Sequence, residues 1–176
     1  PLSVRYLLSF FAVFFIYLFS LNTVHAQSQN KQHFNAEFLK QYEGKEIWTK
    51  VNGQSLDKNK DFIKMLEATF PKAAIKHLLN GWGPAKFEQP TMVSGPIGRD
   101  GNLMSIVVCK PHFCPDDFVE VYIDLDTMTA QGMVSINDNA KWYTPGSKSF
   151  TVKGFGGCAG DFKCARKIMS SIKNMK

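Results

Sequence analysis

Between Phe34 and Tyr42 the apolar residues fall at 34, 38, 39 and 42, the spacing of one helical face. The same period returns from about Lys60 to Phe70, with Phe62, Ile63, Leu66 and Phe70 on one side and Pro71 closing the segment. Ala73 to Leu79 reads as a third short helix stopped by Asn80-Gly81, and Gly81-Trp82-Gly83-Pro84 reads as a turn. After Pro90 the period drops to two. Met104, Ile106 and Val108 alternate with Leu103, Ser105 and Val107 in a strand that runs into Cys109. From 118 to 126 the alternation is cleanest. Val119, Val121, Ile123 and Leu125 share one face and Phe118, Glu120, Tyr122, Asp124 and Asp126 the other, so one face is expected in the core and the other in water. Ala130, Gly132, Val134 and Ile136 predict a further strand, and Lys148 to Lys153 one more. The chain then turns helical again, with Phe162, Ala165, Ile168, Met169 and Ile172 on the apolar side. Helices, then a meander of strands, then a last helix predict an α+β domain: an antiparallel sheet of about five strands flanked by helices.

The amino-terminal pattern differs from all of this. Arg5 is the lone charge before an apolar run from Tyr6 to Leu21, which is followed by the small-x-small sequence Val24-His25-Ala26. This reads as a secretory signal peptide over residues 1–26, with an uncleaved anchor as the alternative. The run sits near the lower length limit for a membrane span, and no basic stop-transfer segment follows it. Removal of 26 residues from 176 leaves 150, residues 27–176, enough for one domain with a real core. Residues 27–33 are polar and without period, an expected frayed end.

Export changes how the cysteines are read. All four, Cys109, Cys114, Cys158 and Cys164, lie past the signal peptide, and in an oxidising compartment an even number points to disulfides. Four cysteines allow three pairings, of which the local one, 109 with 114 and 158 with 164, is the simplest. It closes Cys109-Lys110-Pro111-His112-Phe113-Cys114 into a small ring at the tip of a hairpin, with His112 as its only imidazole. Several chemistries compete for this ring. A redox pair prefers two intervening residues at a helix start, and here four bridge two strands. Structural zinc needs a fourth ligand, and His33 and His77 lie in other segments. Presentation of one side chain fits better, because Pro111 and the cross-link stiffen the loop in advance of binding. A plain hairpin staple with an incidental histidine is the unfunctional alternative.

Charge adds one local feature. The chain carries a formal +6, and loss of Arg5 takes this to +5. No block of like charge, RNA-binding signature or zinc-finger spacing accompanies the excess, so nucleic acid is a poor fit. Yet Asp116, Asp117, Glu120, Asp124 and Asp126 follow the loop without one base among them. Asp116, Asp117 and Glu120 are expected to form a supporting acidic patch for a basic partner, or else a solvated strand face. Lys163, Arg166, Lys167 and Lys173 form a basic face on the last helix, which reads as a solvated side, with contact to an anionic membrane surface as the alternative. Gly154-Phe155-Gly156-Gly157-Cys158-Ala159 formally fits a dinucleotide fingerprint, but no parallel strand and no ribose-binding acid follow it, so it is expected to be a turn clipped by Cys158 and Cys164. Nucleophile elbow, paired catalytic carboxylates and HExxH are all missing from the sequence, so no enzymatic activity and no cofactor or metal are expected.

The motif Cys109-Lys110-Pro111-His112-x-Cys114 lies between the apolar strand Met104 to Val108 and an alternating strand, and a Met-Thr-Ala-Gln-Gly-Met turn follows. Together these resemble the inhibitor of vertebrate lysozyme (Ivy) family of Gram-negative bacteria. The resemblance covers roughly residues 78 to 136. It implies a periplasmic, homodimeric inhibitor whose loop plugs the cleft of c-type lysozyme, with other muramidases as further targets. It also implies that His112 meets the two catalytic carboxylates and that Lys110, Pro111 and Phe113 are its target-binding neighbours. Phe113 stands where the family usually has a polar residue, and the pair Cys158 and Cys164 is an addition to the pattern. An envelope protein of the same fold that binds endogenous lytic transglycosylases is the alternative function.

Overall fold

The computed structural model describes residues 33–82, 92–137, 139–152 and 157–174, and residues from Phe34 onward gather into one compact unit. The expected signal peptide, the polar segment 27–32, Gly83 and Pro84 of the expected turn, and Lys153 to Gly156 lie outside these residues.

Three helices precede the sheet: α1 (Ala36–Lys40), α2 (Lys60–Glu67) and α3 (Lys72–Asn80), with a 3-10 turn at Leu56–Lys58. Their starts follow from side-chain caps. Asn35 Oδ1 accepts the Phe38 N–H and Asn59 Oδ1 the Phe62 N–H, both at 2.9 Å. Pro71 precedes α3, and Gly81, at φ +76°, ends it. After the sheet comes α4 (Phe162–Lys173), whose first N–H groups, those of Lys163 and Cys164, donate to the Asp161 carboxylate.

Among the described residues seven strands form one antiparallel sheet: β1 (Val93–Ser94), β2 (Gly98–Asp100), β3 (Leu103–Cys109), β4 (Phe118–Asp124), β5 (Thr129–Ile136), β6 (Asn139–Thr144) and β7 (Lys148–Thr151). Their order is β1-β3-β4-β5-β6-β7, and β2 also pairs with β3. The α+β class is as expected, but β1, β2 and β6 are strands the sequence pattern did not announce. β5 approaches β4 closely at Gly132, where a Cβ would stand 1.9 Å from the Glu120 carbonyl oxygen. Only glycine fits that position.

Both faces of the sheet are covered. Met104, Ile106, Val108, Val119, Val121, Ile123, Ala130 and Val134 pack with Phe38, Leu39, Phe62, Leu66, Ala74 and Leu78 of the leading helices. The opposite face, Leu103, Cys109, Phe118, Tyr122, Met133 and Trp142, packs with Ala165, Ile168 and Ile172 of α4. The expected wet face of β4 is therefore corrected: Phe118, Glu120 and Tyr122 are 3%, 2% and 0% exposed. As far as Tyr122 its alternation of apolar and mixed residues separates two cores, while Asp124, half-buried, and Asp126, exposed, keep the expected contact with water. Among the described residues no helix is long and apolar enough to cross a membrane.

Candidate functional site

β3 and β4 close on each other at the pair Cys109 and Phe118, which makes residues 110–117 the connection of a hairpin. A disulfide joins Cys109 to Cys114, with 4.8 Å between their Cα atoms. Inside it the Phe113 N–H donates to the Lys110 carbonyl at 3.0 Å, which closes a four-residue turn, Lys110-Pro111-His112-Phe113. Proline at the second position and a positive φ at the third match a type II turn, whose third position favours glycine or asparagine. Histidine occupies it here, at φ +66°. A non-glycine residue in that region costs on the order of 1 kcal/mol, and such a conformation persists where its surroundings over-determine it. The cross-link and the turn bond do so, and they leave His112 exposed at the tip, its imidazole without a hydrogen bond or ion pair among the described residues.

The rest of the connection is folded onto the sheet. The Phe113 carbonyl accepts the N–H groups of Asp116 at 2.9 Å and Asp117 at 2.8 Å, and the Lys110 N–H donates to the Asp117 carbonyl at 2.9 Å. The Ser135 hydroxyl on β5 donates to the Asp116 carbonyl. Asp117 carries the strongest brace. One carboxylate oxygen accepts the Asn137 N–H at 2.7 Å, and the other lies 3.2 Å from the Lys110 ammonium. The Asn137 N–H, and after it Lys110, hold the Asp117 carboxyl below its ordinary range against the opposing effect of burial. The Lys110 ammonium also sits 4.4 Å from the centre of the Phe113 ring, over its face. Phe113 itself is 48% exposed.

The second disulfide, Cys158 to Cys164, clips the turn that leads into α4. Beneath it lies Glu120. Its carboxylate accepts the N–H of Cys158 at 2.9 Å, the N–H of Ala159 and the Tyr122 hydroxyl. Burial nevertheless pushes the Glu120 carboxyl up from its ordinary range, and pushes the Tyr122 hydroxyl, beside that carboxylate, up as well. All four cysteines are thus paired, which leaves no free thiol for metal or redox chemistry among the described residues.

His112, Lys110, Pro111 and Phe113 are brought together at one end of the sheet as expected. The acidic patch is not. Of Asp116, Asp117 and Glu120 only Asp116 is exposed, because Asp117 turns in to the Lys110 and Asn137 brace and Glu120 to the backbone beside Cys158. The braces on Ser135 and Asn137 had no sequence signal, since the second acts through a backbone N–H. Val93, 46% exposed and paired with Cys109, is a further loop neighbour that the sequence pattern did not single out.

The α+β fold thus holds a cross-linked loop, with His112 at its tip, at the β3–β4 end of the sheet. Residues 71–154, from the approach to α3 to just past β7, match the family model described as inhibitor of vertebrate lysozyme (Ivy). Over that stretch, which contains the whole loop, the chain is similar to the Ivy family, a family of lysozyme inhibitors. Cys158 and Cys164 lie beyond it. The chain matches no curated protein and no solved structure.

Proposed function

We propose that the chain is an exported, periplasmic inhibitor of c-type lysozyme that acts by inserting the Cys109 to Cys114 loop into the active-site cleft. The observation that carries this reading is the imidazole of His112, without a partner among the described residues, at the tip of a closed loop within the family-matched stretch. Glycosidases of this kind work with one protonated and one ionised carboxyl a few ångströms apart. An imidazole placed between the two can hydrogen-bond to both, and as imidazolium it can pair with the ionised one. Water and sugar are then excluded together. Phe113 supplies an apolar face beside the imidazole, suited to a sugar subsite. Cleavage after Ala26 and pairing into a homodimer belong to the same reading.

The test is a lysis assay with c-type lysozyme and the purified 27–176 chain, in the presence of rising concentrations of a chitin oligosaccharide. Inhibition that the oligosaccharide relieves competitively is the expected result. Absence of inhibition against any muramidase overturns the function, and inhibition insensitive to the oligosaccharide overturns cleft insertion.

One observation favours a second reading, in which the partner is an endogenous lytic transglycosylase bound without lysozyme inhibition. The chain is basic, and two of the three acids expected to attract a basic lysozyme are turned inward. Recovery of such an enzyme from periplasm on the immobilised protein, with lysozyme activity untouched, would establish it.

A further inference from the structure

We infer that Lys110 and Asp117 are positioning residues of the loop: the Asp117 carboxylate holds the Lys110 ammonium, and the ammonium holds the Phe113 ring in place beside His112. The inference rests on the loop being the surface that meets the target, and it changes what Lys110 does there. In a loop that binds a carboxylate-lined cleft, an exposed lysine would naturally be read as a contact for the target's acids. Here its charge is already engaged. The ammonium is 3.2 Å from Asp117 on one side and 4.4 Å from the Phe113 ring centre on the other.

The chain of contacts starts at the end of β5. Asn137, at φ +52° just past the end of β5, donates its N–H to Asp117, whose other oxygen meets Lys110. Asp117 is buried, and its backbone carbonyl accepts the Lys110 N–H, so main chain and side chain tie the same two residues together. The disulfide fixes the ring from Cys109 to Cys114, yet it does not fix a side chain that points out of it. Phe113 would otherwise sample several rotamers at 48% exposure, and each immobilised side chain saves binding entropy. The Lys110 ammonium supplies that restraint by attraction to the ring face. The aromatic thus reaches the target already in position, and His112 carries the polar contact by itself.

Four variants and one spectroscopic signal test this. Asp117→Asn keeps an oxygen for the Asn137 N–H but turns an amide towards the ammonium, Lys110→Met removes the charge and keeps the stem, and Lys110→Arg keeps both interactions. In the free wild-type protein the Lys110 ε-methylene proton resonances are expected upfield of their ordinary position through the Phe113 ring current. Asp117→Asn should return them towards it. Against c-type lysozyme, Asp117→Asn and Lys110→Met should each bind about five- to tenfold more weakly, chiefly through faster dissociation, and the double variant no more weakly than either alone. Lys110→Arg should restore binding, and thermal melting should show each variant folded. A loss with Lys110→Met but none with Asp117→Asn would make Lys110 a direct target contact and overturn the inference. So would an unshifted ε-methylene signal in the wild type. If the wild type inhibits no muramidase, the functional reading falls, while the ring-current shift and its loss in Asp117→Asn still decide the positioning role.

Discussion

The two disulfide rings are nearly the same size and do opposite work. Cys109 to Cys114 spans a separation of 5 and Cys158 to Cys164 a separation of 6, so each removes a similar, small amount of loop entropy from the unfolded chain. Their surroundings make the difference. The first ring closes at the last pair of a hairpin, and its backbone is satisfied by its own turn and by Asp117, which leaves His112 and Phe113 at the surface. The second ring lies against the sheet, and its N–H groups are taken by the buried carboxylate of Glu120. A cross-link alone therefore says little about role. What the enclosed backbone bonds to decides whether a ring presents or anchors.

The contrast breaks most severely at Glu120. Glu120→Ala would leave the buried N–H of Cys158 and the part-buried N–H of Ala159 without their acceptor, a loss of about 1 to 3 kcal/mol. Urea unfolding should show that loss, while the folded fraction still inhibits as well as wild type. A fall in inhibition per folded molecule would mean that the anchoring ring also shapes the loop. Next come the rings themselves. Replacing either cysteine pair with serine should lower stability by about 2 kcal/mol, by the entropy of rings this small. Only loss of the 109 to 114 bond should weaken lysozyme inhibition, by about tenfold, because that loop must then be ordered on binding. Equal weakening by both pairs would erase the distinction.

Strands β3, β4 and β5 and the three leading helices were legible because their apolar periods are clean. β6 was not legible. Its Asn139-Ala140-Lys141 start follows a polar turn, and only Trp142 and Thr144 enter the interior. The face of β4 was misjudged for a different reason. Glu120 in an alternating strand is the ordinary mark of a solvent face, and only the arrival of α4, distant in sequence, buries it. The loop was legible down to its histidine, since cysteine spacing and proline are local signals. Its brace was not, because Asp117 meets Asn137 through a backbone N–H, which leaves no trace in residue type.

The smallest expected effect separates the two carboxylates by sign. Asp117 titrates below its ordinary range in the folded protein, so its contribution is present above the unfolded value near pH 4 and is lost as pH falls through the lower folded value. Glu120 titrates above its ordinary range, so in the window between its unfolded and folded values the native state holds more proton, and stability there rises as pH falls. Urea midpoints measured from pH 7 down to 3 should therefore show the advantage of wild type over Asp117→Asn shrinking at the acid end. An advantage that stays constant would contradict the brace.

Titration of c-type lysozyme with wild type and with His112→Ala, side by side in one inhibition assay, tests the central claim most directly. The account predicts that the alanine variant, folded and with both disulfides intact, loses nearly all inhibition. Undiminished inhibition by His112→Ala would contradict it.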